Sequence, residues 1–198
     1  MPYAGELFDV PPGKIGTIVT SLEMYAAPAT RPVPPQPGLA LRRVERPDPD
    51  WFRDLYRRIG ENWLWFMRLR MPDDELNAII RHPAREIHCL VHDGRDEGLI
   101  ELDFAHPPDC ELAFFGVTAP FVGTAAGRWL MNEAVRLAWS RPITRFWVHT
   151  CTFDHPNALA FYIRTGFTPF RQQVEISDDP RLDGTLARTA APHVPIIG

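Results

Sequence analysis

No apolar run in this 198-residue sequence approaches the length needed to cross a bilayer, so a membrane-spanning helix is not expected. No internal repeat is present, which excludes a solenoid or a propeller. Cysteine is scarce. Cys89, Cys110 and Cys151 form an odd set without close spacing, and each falls in a predicted strand. That argues against a disulfide framework and for buried, reduced thiols in a cytoplasmic protein. No Cys or His pair has ligand spacing on a tight turn, so no metal is expected. Positive charge is not in excess: the formal net charge is −4, which gives no nucleic-acid footprint. The opening Met1-Pro2-Tyr3-Ala4-Gly5-Glu6 lacks the charged-then-apolar pattern of a signal peptide, so no membrane partner is expected. What remains is the composition of an ordinary globular domain, 45% hydrophobic and 23% charged. The length fits one domain with a substantial core. Proline, at 21 residues, is abundant, and much of it lies outside the regular elements.

The chain divides into an N-terminal extension (1–38), a main domain (39–177) and a C-terminal tail (178–198). Within the extension, Lys14 to Met24 is rich in β-branched residues and reads as a strand, and Pro28 to Gly38 as an extended proline-rich connector. Leu39 to Arg46 reads as a strand. Pro47-Asp48-Pro49-Asp50 then opens a helix that carries Trp51, Phe52, Leu55, Tyr56 and Ile59 on one face and ends at Gly60. Glu61 to Arg70 reads as helical, and a further helix runs from Pro72 to Pro83. Alternation then marks three strands of an antiparallel meander, around Ile87–Val91, Ile100–Phe104 and Cys110–Thr118. A helix over Thr124–Trp139 follows, with Leu130, Ala134, Leu137 and Ala138 inward. After it come a strand over Ile143–Cys151, a helix over Pro156–Thr165 and a strand over Phe167–Ile176. This order predicts an α/β fold with a mixed sheet and helices on both faces.

Two segments carry chemistry. The strand ending at Val117 runs through Thr118-Ala119-Pro120-Phe121-Val122 into Gly123-Thr124-Ala125-Ala126-Gly127, where small residues leave backbone N–H groups open to a phosphate at the start of a helix. The same glycines would equally serve a tight turn that only packs closely. Gly116, inside an apolar strand, marks either a bulge that frees N–H donors between Phe115 and Val117 or relief of crowding among Phe114, Phe115 and Trp147. Tyr162, on the later short helix, is either core or a proton donor in a cleft. Glu111 opens the same strand as Gly116 and by alternation shares a face with Ala113, Phe115 and Val117, unless a bulge resets the phase. It is a candidate base or a solvated strand end. Glu101 and Asp103 carry the same ambiguity, and His149 and His155 are further candidates for proton transfer. The aromatic set Trp51, Phe52, Tyr56, Trp63, Trp65 and Phe66 exceeds what one helix face needs. Part of it suits an apolar acceptor pocket.

The element order and two motifs resemble the GNAT superfamily of acyl-CoA-dependent N-acyltransferases, over about Leu39 to Ile176. In the family's cofactor motif Val117, Gly123 and Gly127 match, while Ala119, Val122 and Ala125 replace a proline, an arginine or glutamine, and a glycine. In the second motif Ala158, Tyr162, Gly166 and Phe167 match, His155 stands in the asparagine slot, and Asn157 and Asp154 lie out of register. The resemblance implies acetyl-CoA as co-substrate, with its pyrophosphate on the amides of Val122 to Arg128, Asn157 beside it and its thioester near Phe115 and Val117. It implies Tyr162 as general acid toward the CoA thiolate and Glu111 as base. It also implies an amine acceptor, either a small molecule or a peptide. Homodimerisation is left open. The alternative is a non-catalytic domain of the same fold that binds an acyl-CoA or a protein partner. The family's closing strand hairpin has no counterpart after Ile176, and the Lys14–Met24 strand is a candidate to fill that place.

Overall fold

The alternating segments pair into one seven-stranded sheet in a computed structural model that describes Gly5 and residues 7–198. The reading of the opening segment rests largely on residues 1–4 and 6, which lie outside the described residues. The strands are β1 (Lys14–Met24), β2 (Leu39–Arg43), β3 (Arg85–His92), β4 (Arg95–Asp103), β5 (Asp109–Val117), β6 (Arg145–Cys151) and β7 (Thr168–Asp178), in the order β2-β3-β4-β5-β6-β1-β7. All neighbours are antiparallel except β5 and β6. The β3–β4 hairpin turns on Asp93 and Gly94, both at positive φ (48° and 77°), the geometry that a two-residue hairpin favours.

Helices cover both faces. α1 (Pro49–Gly60) starts where the Asp48 carboxylate accepts from the N–H groups of Asp50 and Trp51 at 3.0 and 3.2 Å. Its buried stripe of Phe52, Leu55, Tyr56 and Ile59 packs with Leu76 and Ile80 of α3 (Asp73–Ile80) against Ile87, Cys89 and Leu99 of the sheet. On the opposite face α4 (Ala125–Ala138) and α5 (Ala158–Thr165) cover Ile100, Leu102, Leu112, Phe146 and Val148. On α4 the buried row is Ala126, Leu130, Met131, Ala134 and Ala138, and Leu137 packs half-buried against the same core.

Glu61 to Arg70 is not the continuous helix that its composition predicts. It splits into a single 3-10 turn, Glu61–Trp63, and the short α2 (Met67–Arg70), with Leu64 at φ 55° between them. The cause lies at Gly60. A Cβ built there would sit 2.4 Å from the Trp65 side chain, so the chain doubles back and lays Trp65 over the bare glycine.

β1 lies between β6 and β7, an internal strand of the sheet. Its register runs from Val19 opposite Cys151 to Met24 opposite Phe146, and from Lys14 opposite Asp178 to Glu23 opposite Thr168. Ile15, Leu22 and Met24 are buried, and Glu23 holds Arg145 at 2.7 Å. Residues 179–198 contain no regular element but are packed. Asp179 and Arg181 form an ion pair at 2.7 Å, each about 1% exposed, and the Arg181 guanidinium donates to the Val194 carbonyl at 2.7 Å. Arg181 holds the Asp179 carboxyl below its ordinary range. Around this pair Leu186, Ala190 and Ala191 close a small core with Ile15 and Leu64.

Cys89 and Cys110 are buried and unpaired, and burial pushes the Cys89 thiol up to about 12. Cys151 is only half-buried, at the end of β6, and differs in that from the expectation. Among the described residues no helix is long and apolar enough to cross a membrane, and no cluster of three or more His, Cys, Asp or Glu stands close enough to hold a metal ion.

Candidate active site

The site begins with a failure of pairing. β5 and β6 hold together only from Asp109–Arg145 to Glu111–Trp147, and beyond that pair they part. The β6-facing edge of β5 is then left without a ladder partner past Glu111, so N–H donors there come free through the splay. A cleft of about 580 Å³ occupies the region, lined on one side by Phe121 to Thr124, Gly127 and Arg128 and on the other by Glu111, Phe114 and His149.

The bulge in β5 falls at Ala113, not at Gly116. Leu112 faces Leu102 and Phe114 faces Glu101, so Ala113 is the additional residue, while Gly116 stays in register with Leu99. Gly116 is bare for a different reason: a Cβ there would lie 2.5 Å from Ile59 of α1. The crowding it relieves comes from α1 and Trp65 rather than from neighbouring phenylalanines. The bulge also resets the alternation. Glu111 shares its face with Phe114 and Gly116, on the α1 side, and Phe115 and Val117 join Leu112 on the α4 side. Simple alternation would have put Glu111 with Phe115 and Val117, and the bulge is the exception that separates them.

At the α4 end, hydrogen bonds sort the turn's donors. The N–H of Val122 goes to the Ala119 carbonyl, that of Thr124 to Phe121, and that of Ala126 to the Thr124 hydroxyl at 3.2 Å. The N–H groups of Gly123, Ala125 and Gly127 donate to no other described residue. Ala126 is thus the residue of the turn least suited to a ligand: its N–H is capped and its side chain is core. Nothing stands where a Cβ would be at Gly123 or Gly127, so an anion meets open backbone there. Gly123, at φ 78°, also makes the turn into α4. Val122 and Thr124 line the same mouth, and Ala125 does not.

Arg31, Arg128 and Arg164 line this cleft, and none of the three makes an ion pair with a described carboxylate. Arg31 comes from the proline-rich connector, and its carbonyl is held by Asn132 of α4 at 2.9 Å. The cations at the other end are matched: Arg68 meets Glu101 at 2.8 Å, and Arg85 binds both Glu101 and Asp103. These pairs give Glu101 and Asp103 structural partners, and Glu101 is fully buried. The cleft therefore carries three arginines without an ion-pair partner among the described carboxylates, contributed by the connector, by the first turn of α4 and by the last turn of α5.

Tyr162 lines the cleft with its ring among Phe115, Phe161 and Phe167. Its hydroxyl makes no hydrogen bond to a described residue. Burial pushes its pKa far above the ordinary tyrosine value and the Asp154 carboxylate adds to the rise, so the group keeps its proton. Asp154 is itself engaged, accepting from Thr150 Oγ1 at 2.7 Å, the Cys151 N–H at 2.9 Å and Trp65 Nε1 at 3.2 Å. That last bond ties the α1–α2 connection to the β6–α5 turn. His155 Nδ1 accepts the N–H of Asn157, and its ring meets Trp63 edge-on. Asn157 precedes α5 and lines the cleft without capping the helix through its side chain.

Where the strands separate, His149 Nδ1 lies 3.4 Å from Glu111 Oε1. The hydrogen bond to Glu111 holds the His149 pKa above the ordinary imidazole value, against the opposing effect of burial. Tyr56, Trp63, Trp65 and Phe66 form aromatic walls beside this pair, while Trp51 and Phe52 stay outside the cleft.

Sequence reasoning thus located the glycine turn, Tyr162, Glu111 and His149, and the fold brings them to one cleft. It missed Arg31, Arg164 and the Glu111–His149 pairing. A signal for Arg31 was present, because it is the one charged residue of the Pro28–Gly38 connector.

A sequence model of the Acetyltransferase (GNAT) family matches residues 49–167, from α1 through α5. No curated protein matches the chain. Among solved structures, it is similar to a functionally unknown conserved protein from Staphylococcus epidermidis, at 11% identity and a TM-score of 0.59 over 84% of this chain and 64% of that one. It is also similar to an aminoglycoside acetyltransferase from an uncultured soil metagenomic sample (15%, TM-score 0.54, 65% and 88% covered). A GCN5-related N-acetyltransferase from Sphaerobacter thermophilus is a third (14%, TM-score 0.53, 85% and 52% covered). At these identities the structures speak for the fold alone, and the chain spans under two thirds of the first and third. The family match covers more than half of the sequence and includes the strands that part and both helices of the cleft, and by it this chain belongs to the GNAT acetyltransferase family.

Proposed function

We propose that the chain moves an acetyl group from acetyl-CoA to a primary amine by direct attack within the cleft. The observation that carries this reading is the make-up of that cleft: unbonded N–H groups and Arg128 at the α4 end, a carboxylate–imidazole pair where the strands part, and a protonated tyrosine in the wall. A diphosphate fits the first end, because Gly123 and Gly127 line the cleft, leave its path open and supply N–H donors with no described partner. Arg31, Arg128 and Arg164 supply the charge that Val122 does not.

In this reading the free edge of β5 near Phe115 to Val117 donates to the thioester carbonyl oxygen and stabilises the charge that develops there. Glu111 and His149, acting as a pair, take the proton that the amine must lose before its nitrogen attacks the acyl carbon. The C–S bond then breaks, and Tyr162 gives its proton to the departing sulfur. The aromatic walls, together with Glu111 and Glu175, favour an amine carried on an apolar or aromatic body. Phe114 and Phe115 line the gap and suit a short acyl group.

Calorimetry with acetyl-CoA, followed by thiol release over a panel of amines, tests the proposal. Binding with turnover supports it. Binding without turnover on any amine points to a non-catalytic acyl-CoA-binding domain, and no binding ends the reading. Two finer results are expected. Arg31→Gln should weaken CoA binding on the order of tenfold while leaving pantetheine binding unchanged, because only the phosphates meet the guanidinium. Equal loss for both ligands would point instead to a packing role for the connector.

Glu111→Gln should move the His149 titration to lower pH, as followed by imidazole NMR, and shift the acid limb of the rate profile with it. In the parent, a folded pKa above the unfolded value means that the pair stabilises the fold below about pH 6.5. That contribution is lost as the pH rises through the folded His149 pKa. An unmoved titration in the variant would separate the two groups.

A further inference from the structure

β7 closes one end of the sheet, with β1 on one side and no strand on the other among the described residues. All but one of its 11 residues are exposed. Val174 is 74% and Ile176 48% exposed, and Ile18, opposite Val174 on β1, is 47% exposed. From Arg171 to Asp178 the register with β1 is unbroken, so as far as Ser177 this stretch presents a straight row of outward backbone groups without partners among the described residues, while the Asp178 carbonyl accepts from Arg70. Long, unbulged edges with apolar side chains recruit another strand unless something blocks them. The only proline of β7, Pro169, stands at its beginning and leaves that row intact.

The charges on the strand say which strand it recruits. Arg171 and Glu175 point to the same face, separated by Gln173, and neither makes an ion pair with a described residue. A two-fold axis perpendicular to a sheet maps each residue onto one of the same face, so the axis must pass through a residue position. Centred on Gln173, Arg171 of each copy falls opposite Glu175 of the other, with Phe170 and Ile176 flanking the pairs. Centred on Gln172 or Val174, Arg171 or Glu175 faces Gln173 instead and the charges go unmatched. Cross-strand pairs directly opposite are where such side chains interact most strongly.

We propose that β7 pairs antiparallel with β7 of a second copy of this chain, centred on Gln173, and joins two sheets into one. Glu175 also lines the acceptor end of the cleft, so the pairing sets Arg171 of the second copy at its mouth. This inference stands apart from the transferase chemistry, because it rests on the strand edge alone.

Sedimentation of the full chain across a concentration series, with Arg171→Glu, Glu175→Arg and the double exchange, tests it. The parent should be a dimer. Each single exchange sets like charges opposite each other twice per dimer and should weaken association by about tenfold or more. The double exchange restores opposite charges and should recover the parent behaviour. All three variants change exposed side chains, and circular dichroism checks that they fold. A parent that stays monomeric at every concentration overturns the proposal. So does a dimer indifferent to the single exchanges, or a double exchange no better than the singles.

Discussion

Replacing Tyr162 with phenylalanine should slow acetyl transfer by about a hundredfold or more, the range over which a positioned general acid contributes. The same substitution should leave acetyl-CoA affinity and melting temperature close to those of the parent. The reason for the split lies in the environment of the side chain. Its ring packs among Phe115, Phe161 and Phe167, and phenylalanine keeps every one of those contacts. The hydroxyl has no described hydrogen-bond partner, so removing it leaves no donor or acceptor stranded. What disappears is the proton. Burial and the nearby Asp154 carboxylate hold that proton on the oxygen at neutral pH, which suits a group that must give it up only when a thiolate forms beside it. Single-turnover rates with acetyl-CoA and the best amine of the panel are the measurement, since they isolate chemistry from product release. An unchanged rate would make Tyr162 a packed aromatic ring and move the acid elsewhere.

Deleting residues 1–24 should abolish cooperative unfolding altogether. Among the described residues β1 is the one strand of the chain paired with β7 and one of two paired with β6, so its removal strips β7 of its ladder within the chain. Ile15, Leu22 and Met24 leave the core with it, at roughly 1.5–3 kcal/mol for each buried side chain. Set against a typical domain stability of about 5–15 kcal/mol, that loss alone is decisive. The milder Leu22→Ala, at a position with no exposure, should cost about 2–5 kcal/mol and give the quantitative value by denaturant titration. A truncated chain that still melts in one sharp transition at the parent's temperature would show that the sheet closes without its first strand.

The candidate site was legible wherever its chemistry is local. A run of small residues before a helix announces open N–H groups. The spacing Tyr162-Ile163-Arg164-Thr165-Gly166-Phe167 announces a short helix ended by a left-handed glycine, and Gly166 is at φ 119°. The bulge at Ala113 was not legible, because a bulge is a relation between two strands and leaves no mark on one. In the sequence Gly116 offers either a bulge or relief of crowding, and its missing side chain answers to Ile59 on a helix far off in sequence. The break at Leu64 escaped for the same reason, since only the packing of Trp65 over Gly60 reveals it. Arg31 hid in a segment that composition alone reads as a spacer.

By itself, then, the sequence determined the element order, the starts of α1 and α4, the faces that α1 and α4 bury and the small-residue turn. Each of these follows from steric and hydrogen-bonding preferences within a few residues. Only the tertiary structure decided that β1 enters between β6 and β7, that β5 and β6 part after Glu111, and that Glu111 meets His149 while Arg31 reaches α4. Alternation tells a strand which face to bury but not which strand to lie beside. That choice is made by burial and by charge neutralisation between groups more than a hundred residues apart, such as Glu23 and Arg145.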